Sequence, residues 1–199
     1  MGGTPMKRLS YLLLFACAGL WLILAACGGE GPAAERSVTT IENSQSGEVL
    51  AAGMDRETIE QVLGNVEDTI EFESEEDDTV TVTYFETETD QVQVQYGDSK
   101  AILISVGGRM NQKDQDSSDW FINGISLGST RDEVLDAYGT PSEEGVLGSP
   151  DENGDITTVI TYCYDEEDAI VENSGDAKYT VNFILKNDSV INFALFYAD

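Results

Sequence analysis

The chain has 199 residues, 38 acidic against 10 basic and no histidine, for a formal net charge of −28 at pH 7. That balance opposes DNA, RNA and bare anionic membranes as partners, because each is bound through a basic patch. Without histidine the chain also lacks the commonest general base near neutral pH, so no Ser-His-Asp or Cys-His mechanism can be assembled from it.

The first element is N-terminal. Met6-Lys7-Arg8 is a short positive region, and residues 9–26 are almost wholly apolar, diluted by Ser10. The run closes in Leu24-Ala25-Ala26-Cys27, followed by Gly28-Gly29. A charged start, an apolar core and small residues at its end read as a secretory signal. An apolar run of this length is also near the minimum for an uncleaved membrane span. The Leu-Ala-Ala-Cys ending resembles the lipobox of bacterial lipoproteins. The resemblance implies that residues 1–26 are removed, that the Cys27 thiol carries diacylglycerol, and that the protein is held at the cell membrane facing outside the cytoplasm. Loss of Lys7 and Arg8 leaves 8 basic and 38 acidic residues, a formal charge of about −30. The cysteines left are then Cys27 and Cys163; with the first lipidated, no internal disulfide is expected.

Residues 27–47 are poor in large apolar side chains and rich in Gly, Ala, Ser, Thr and Glu, the composition of a flexible tether. Two folded units are expected beyond it, at 48–110 and 119–199, with a linker at 111–118.

Each unit opens on a helix signal. The first runs from Gly53 to Gly64, with Asp55 as N-cap; the second runs from Gly128 to Gly139, with Thr130 as N-cap. Thr130-Arg131-Asp132-Glu133 has capping-box spacing. Ile59, Val62 and Leu63 share one helical face, as do Val134, Ala137 and Tyr138. Gly64 and Gly139 suit a left-handed stop, and Pro141 blocks continuation.

Three strand-like runs follow each helix: 79–86, 91–96 and 101–106, then 156–164, 178–186 and 190–197. In the first half Val80, Val82 and Tyr84 share a face, as do Val92, Val94 and Tyr96, and then Ile102, Ile104 and Val106, with threonines and glutamines opposite. That is a half-buried antiparallel sheet with one face on a helix. In the second half both faces are apolar: Tyr179, Val181, Phe183 and Leu185 on one side, Ile184, Val190, Ala194 and Phe196 on the other. Acidic runs at 71–78 and 165–168 read as solvated loops.

Gly-x-Thr-Arg-Asp-Glu-Val-Leu-x-x-Tyr-Gly-x-Pro, from Gly128 to Pro141, resembles the helix signature of small lipoproteins of the BamE (SmpA/OmlA) type and of the related β-lactamase-inhibitory-protein-like repeat. The first half shares Gly53, Arg56 and Gly64 with it. The resemblance implies an α+β fold of two tandem repeats, each one or two short helices packed on a three- to four-stranded antiparallel sheet. It also implies a binding module with no catalytic residues and no cofactor.

Candidate site residues are few. Asp151, Asn153 and Asp155 space oxygen ligands as a calcium loop begins, but Ile156 and Tyr162 stand where such a loop needs Gly and Glu. An acidic Asn-Gly turn explains them more simply. Asp114, Asp116 and Asp119 form a second acidic cluster, read as linker. Trp120, Ile184, Val190 and Phe196 are the candidates for contact with a partner. The expected function is a non-catalytic, membrane-anchored lipoprotein that binds another envelope protein. The alternative is a lipoprotein that binds a cation or a cell-wall fragment.

Overall fold

The computed structural model describes residues 38–64, 66–73, 79–86, 91–107, 117–172 and 174–198. The leader, Cys27 and most of the expected tether and linker lie outside them. In chain order the elements are β1 (Thr40–Asn43), β2 (Val49–Ala51), α1 (Arg56–Leu63), β3 (Val66–Glu73), β4 (Thr79–Glu86), β5 (Gln91–Gly97), β6 (Lys100–Val106) and β7 (Trp120–Ile122). Then come α2 (Arg131–Tyr138), β8 (Glu143–Val146), β9 (Thr157–Tyr164), β10 (Ile170–Val171), β11 (Tyr179–Lys186) and β12 (Ser189–Tyr197). The result is α+β and dominated by sheet.

Both helices start and stop where the sequence places them, by different means. Thr130 Oγ1 accepts the Glu133 N–H at 3.3 Å, and Glu133 Oε2 accepts the Thr130 N–H at 2.7 Å, a complete capping box. Asp55 takes the extended N-cap conformation without a side-chain capping bond. The first turn of α1 is held instead by Arg56, whose Nε donates to Glu60 at 2.7 Å and whose guanidinium lies 5.3 Å from the centre of the Tyr96 ring. Gly64 and Gly139 end the helices at φ 78° and 77°, where a side chain would be strained.

The strands build one large antiparallel sheet in the order β10-β9-β11-β12-β6-β5-β4-β3, with β8 beside β10 along the outer edge of β9. The central seam is β6 against β12, from Val106↔Phe193 to Leu103↔Phe196. The two halves of the chain therefore contribute to a single sheet. They also share a single core, and Arg36–Asp199 is one compact unit.

The core lies on one face. Phe85, Val92, Val94, Tyr96, Ile104, Val106, Phe193, Leu195, Val181, Phe183, Ile160 and Tyr162 form its floor. Ile59 and Leu63 of α1, Val134 and Tyr138 of α2, and the small sheet β2-β1-β7 form its roof. Each large apolar side chain sunk there contributes about 1.5–3 kcal/mol. Tyr138 packs on Tyr162 and Phe183 with ring centroids 4.8 and 5.1 Å away.

Each helix is docked on the last hairpin of its own half by the same bonds. The Arg56 N–H donates to the Ser99 carbonyl and the Arg131 N–H to the Asp188 carbonyl, both at 2.9 Å. The Gly53 and Gly128 N–H groups donate to Ala101 and Val190, and those two residues donate back to Met54 and Ser129. The hairpin turns match as well. Asp98-Ser99 and Asn187-Asp188 all have positive φ, the signature of a type I′ turn. Each hairpin then carries a register shift, at Gln95/Tyr96 and at Ile184/Leu185.

The register shifts account for two departures from expectation. After the shift at Ile184/Leu185, Val190 pairs with Leu185 and turns into the core, fully buried, away from Ile184, Ala194 and Phe196. After the shift at Gln95/Tyr96, Ala101 rather than Ile102 continues the core row. In β4 the sides are the reverse of a simple apolar-in reading. Thr83 and Phe85 pair with Val94 and Val92 on the core side, so Val80, Val82 and Tyr84 lie on the other face.

Three further differences concern length and exposure. Residues 40–47 are a strand and a tight turn, not tether: Ile41 is fully buried, and Asn43 Oδ1 accepts the Gln45 and Ser46 N–H groups. Residues 71–73 belong to β3 rather than to a loop. Ala137 is exposed, so α2 faces the core through Val134 and Tyr138.

Candidate functional site

Helices and small sheet cover one face of the large sheet, and neither α1 nor α2 lies on its opposite face. Two rows of side chains cross this open face from edge to edge. One runs Asp68–Tyr84–Gln93–Ser105–Ala194–Asn182–Thr161–Glu143, one residue from each of β3, β4, β5, β6, β12, β11, β9 and β8. The parallel row runs Ile70–Val82–Gln95–Leu103–Phe196–Thr180–Cys163–Val171.

Charge is what sets these rows apart. The chain is 24% charged, yet the six strands between Asp68 and Glu143 place no charged residue in either row. Amides, hydroxyls and aliphatic groups take those positions. Asn192 Nδ2 donates to Ser105 Oγ at 2.9 Å across the seam. Asn182 Oδ1 is buried without a hydrogen-bond partner. Gly107 brings β12 close at the end of β6: a Cβ there would sit 2.7 Å from the Ile191 carbonyl oxygen. With strands about 4.8 Å apart, eight of them span roughly 34 Å. Over strands about 20 Å long the face approaches the ~800 Å² that one partner contributes to an ordinary protein–protein interface.

The residues expected to meet a partner divide between the two faces. Ile184 and Phe196 lie half-buried on the open face. Trp120 and Val190 are core residues, exposed by 2% and 0%. The residues that make the face distinctive, Tyr84, Gln93, Ser105, Asn182 and Thr161, escaped the sequence reading. The available signal was the choice of amides and hydroxyls at strand positions where this chain elsewhere uses carboxylates.

Asp151, Asn153 and Asp155 lie together in the β8–β9 loop, and the oxygens of both carboxylates are engaged. Asp151 Oδ1 accepts the Asn153 and Asp155 N–H groups at 2.8 and 3.0 Å, which holds its carboxyl below the ordinary range. Lys186 Nζ lies 3.4 Å from a carboxylate oxygen of each aspartate, and Asn187 Nδ2 donates to Asp155 Oδ1 at 2.8 Å. Among the described residues no cluster of three or more Cys, Asp or Glu side chains has metal-holding geometry. Cys27, Asp114 and Asp116 lie outside those residues. Cys163 is buried on the open face, with its N–H donated to Ser142 Oγ at 3.1 Å. Burial, with Glu144 adding to it, raises the Tyr162 phenol to about 12, and its hydroxyl donates to the Gly139 carbonyl at 3.1 Å. That tyrosine serves the core. No helix among the described residues is long and apolar enough to cross a membrane.

No protein-family model matches the sequence, and neither does any curated protein. A solved structure from Streptococcus mutans, described as a putative beta-lactamase inhibitor protein, aligns over 81% of this chain and 90% of its own length. The identity is 12% and the TM-score 0.28, a likeness too distant to bring a function with it.

Proposed function

We propose that this chain is a non-catalytic, membrane-anchored lipoprotein that binds another envelope protein through the open face of its large sheet. The observation that carries this reading is the uncharged band between Asp68 and Glu143 in a chain of 38 acidic residues. Charge is depleted at the centre of protein interfaces and retained at the rim. The first row, uncharged along its length and ending in Asp68 and Glu143, follows that plan. The anchor is the lipid on Cys27 after removal of residues 1–26, supported by the Leu-Ala-Ala-Cys ending. The folded part is two copies of one BamE-like or β-lactamase-inhibitory-protein-like unit, supported by the matched docking of α1 and α2 on type I′ hairpins.

Capture tests the reading. The full chain, crosslinked in native membranes, is compared with a tether-only control and with Gln93→Arg, which sets a charge in the middle of the band. The expected result is a protein enriched by the wild type and lost from both controls. Equal enrichment by the variant, or none over the tether, contradicts it. In parallel, Cys27→Ser is expected to leave the membrane fraction while remaining folded.

A further inference from the structure

The two halves of the large sheet correspond position by position. β6 and β12 run antiparallel at the seam, with Ser105 opposite Ala194. A two-fold axis through that pair, normal to the sheet, carries β6 onto β12, β5 onto β11, β4 onto β9 and β3 onto β8. Helix docking obeys the same axis. Ala101, which accepts from the Gly53 N–H, stands as far before Ser105 as Val190, which accepts from the Gly128 N–H, stands before Ala194. The two register shifts also coincide, at Gln95/Tyr96 and Ile184/Leu185.

Under this axis the first row of the open face is its own image. Ser105 falls on Ala194, Gln93 on Asn182, Tyr84 on Thr161 and Asp68 on Glu143. From either end the chemistry reads carboxylate, hydroxyl, amide, small residue. The fold does not impose that likeness, because other positions related by the same axis differ in kind. Thr83 falls on Ile160 and Tyr96 on Leu185 on the covered face, and Gln95 on Ile184 and Leu103 on Asn192 on the open one. A surface with a two-fold axis is engaged alike on both sides by a partner that has such an axis itself, and two-fold homodimers are the commonest oligomers. Building on the open-face reading above, we infer that the partner is a homodimer of another protein, seated with its axis on the Ser105–Ala194 seam. Each subunit lays the same uncharged, hydrogen-bonding surface on one half of the row, so two partner subunits bind one chain. Gln93 and Asn182 lie three strand spacings, about 14 Å, apart, one for each subunit. Ser105 and Ala194 are small and leave room where the two subunits meet. A second copy of this chain is a poor occupant, since each copy carries a formal charge of −28 and net charge of that size keeps copies apart.

The test places a photoactivatable benzoylphenylalanine at Gln93, at Asn182, or at both, in the full chain in its native envelope. Crosslinked products are sized, and the attached partner residue is identified by mass spectrometry. The expected result is that each single variant joins one subunit of the same protein at the same partner residue. The doubly substituted chain is expected to carry two copies of that subunit. One partner subunit joined at two different residues overturns the proposal and leaves the open-face reading standing, and so does a product from only one of the two positions. A crosslinked dimer of this chain, or no product from either position, overturns both. Tyr84 and Thr161, the next pair related by the axis, repeat the comparison, so that a poorly folded variant at Gln93 or Asn182 does not decide it.

Discussion

The two faces of the large sheet are made by the same strands from alternating residues, and they obey different rules. The covered face is Phe85, Val92, Val94, Ile104, Phe193, Leu195, Val181 and Phe183, sealed by helices and small sheet. The open face takes its residues from between these: Tyr84, Gln93, Ser105, Ala194, Asn182 and Thr161. Stability requires an apolar covered face. It makes no demand that the open face be uncharged, and charge there would favour solubility. The absence of charge from the two central rows calls for a cause outside the fold, and contact with a partner supplies one.

Substitutions at one position in each face sharpen that contrast. Phe193→Ala on the covered face is expected to cost about 3–5 kcal/mol, read as a large drop in the unfolding midpoint. Phe196→Ala, three residues on and half-buried on the open face, is expected to cost about 1 kcal/mol. Equal losses would mean that both faces serve the core. The next largest effect lies at the seam that joins the halves. Gly107 has φ 135°, and a Cβ on it would meet backbone of Ile191 and Asn192 at 2.7 and 2.9 Å. Gly107→Ala is expected to cost about 1–3 kcal/mol, with slower exchange lost first at β6 and β12.

The two helices offer a smaller comparison. Thr130→Ala removes a working cap and should cost about 1 kcal/mol. Asp55→Ala removes a side chain that makes no capping bond, and should change stability by only a few tenths. The same difference has a pH signature. Hydrogen bonds from the Thr130 N–H and hydroxyl hold the Glu133 carboxyl below its ordinary range, and Arg131 does the same for Glu144. Carboxyls lowered in the folded state stabilise it at neutral pH, and that contribution disappears as pH falls through the lowered values. Glu133→Gln should flatten part of the acid limb of the stability curve, and a curve unchanged from wild type would remove the capping box from the account.

The sequence made helices and long strands legible, and the residues say why. Thr130-x-x-Glu133, Gly64 and Gly139 act within a few residues, so local chemistry decides them. Strands β4, β5, β6, β9, β11 and β12 alternate cleanly enough to be read within a residue or two. Which face each strand buries was harder to read. In β4, three apolar residues on one side outvote Phe85 by number, but pairing with Val92 and Val94 turns Phe85 and Thr83 inward. In β12, one register shift moves Val190 into the core. Pairing partners are nonlocal, and nothing within β4 or β12 reveals them. The short strand β1 was hidden by tether-like composition, β2 by being only three residues long, and β3 by its carboxylates. The candidate face was illegible for the same reason: its rows take one residue from each strand and exist only after the sheet is assembled.

The open face is tested most directly by site-specific photocrosslinking in the intact envelope. A crosslinking side chain replaces Thr161 on the open face in one variant and Asp136 on the exposed side of α2 in another. The expected result is a discrete crosslinked protein from position 161 and none from 136. The same product from both positions, or a product from 136 alone, would contradict the assignment of the open face as the binding surface.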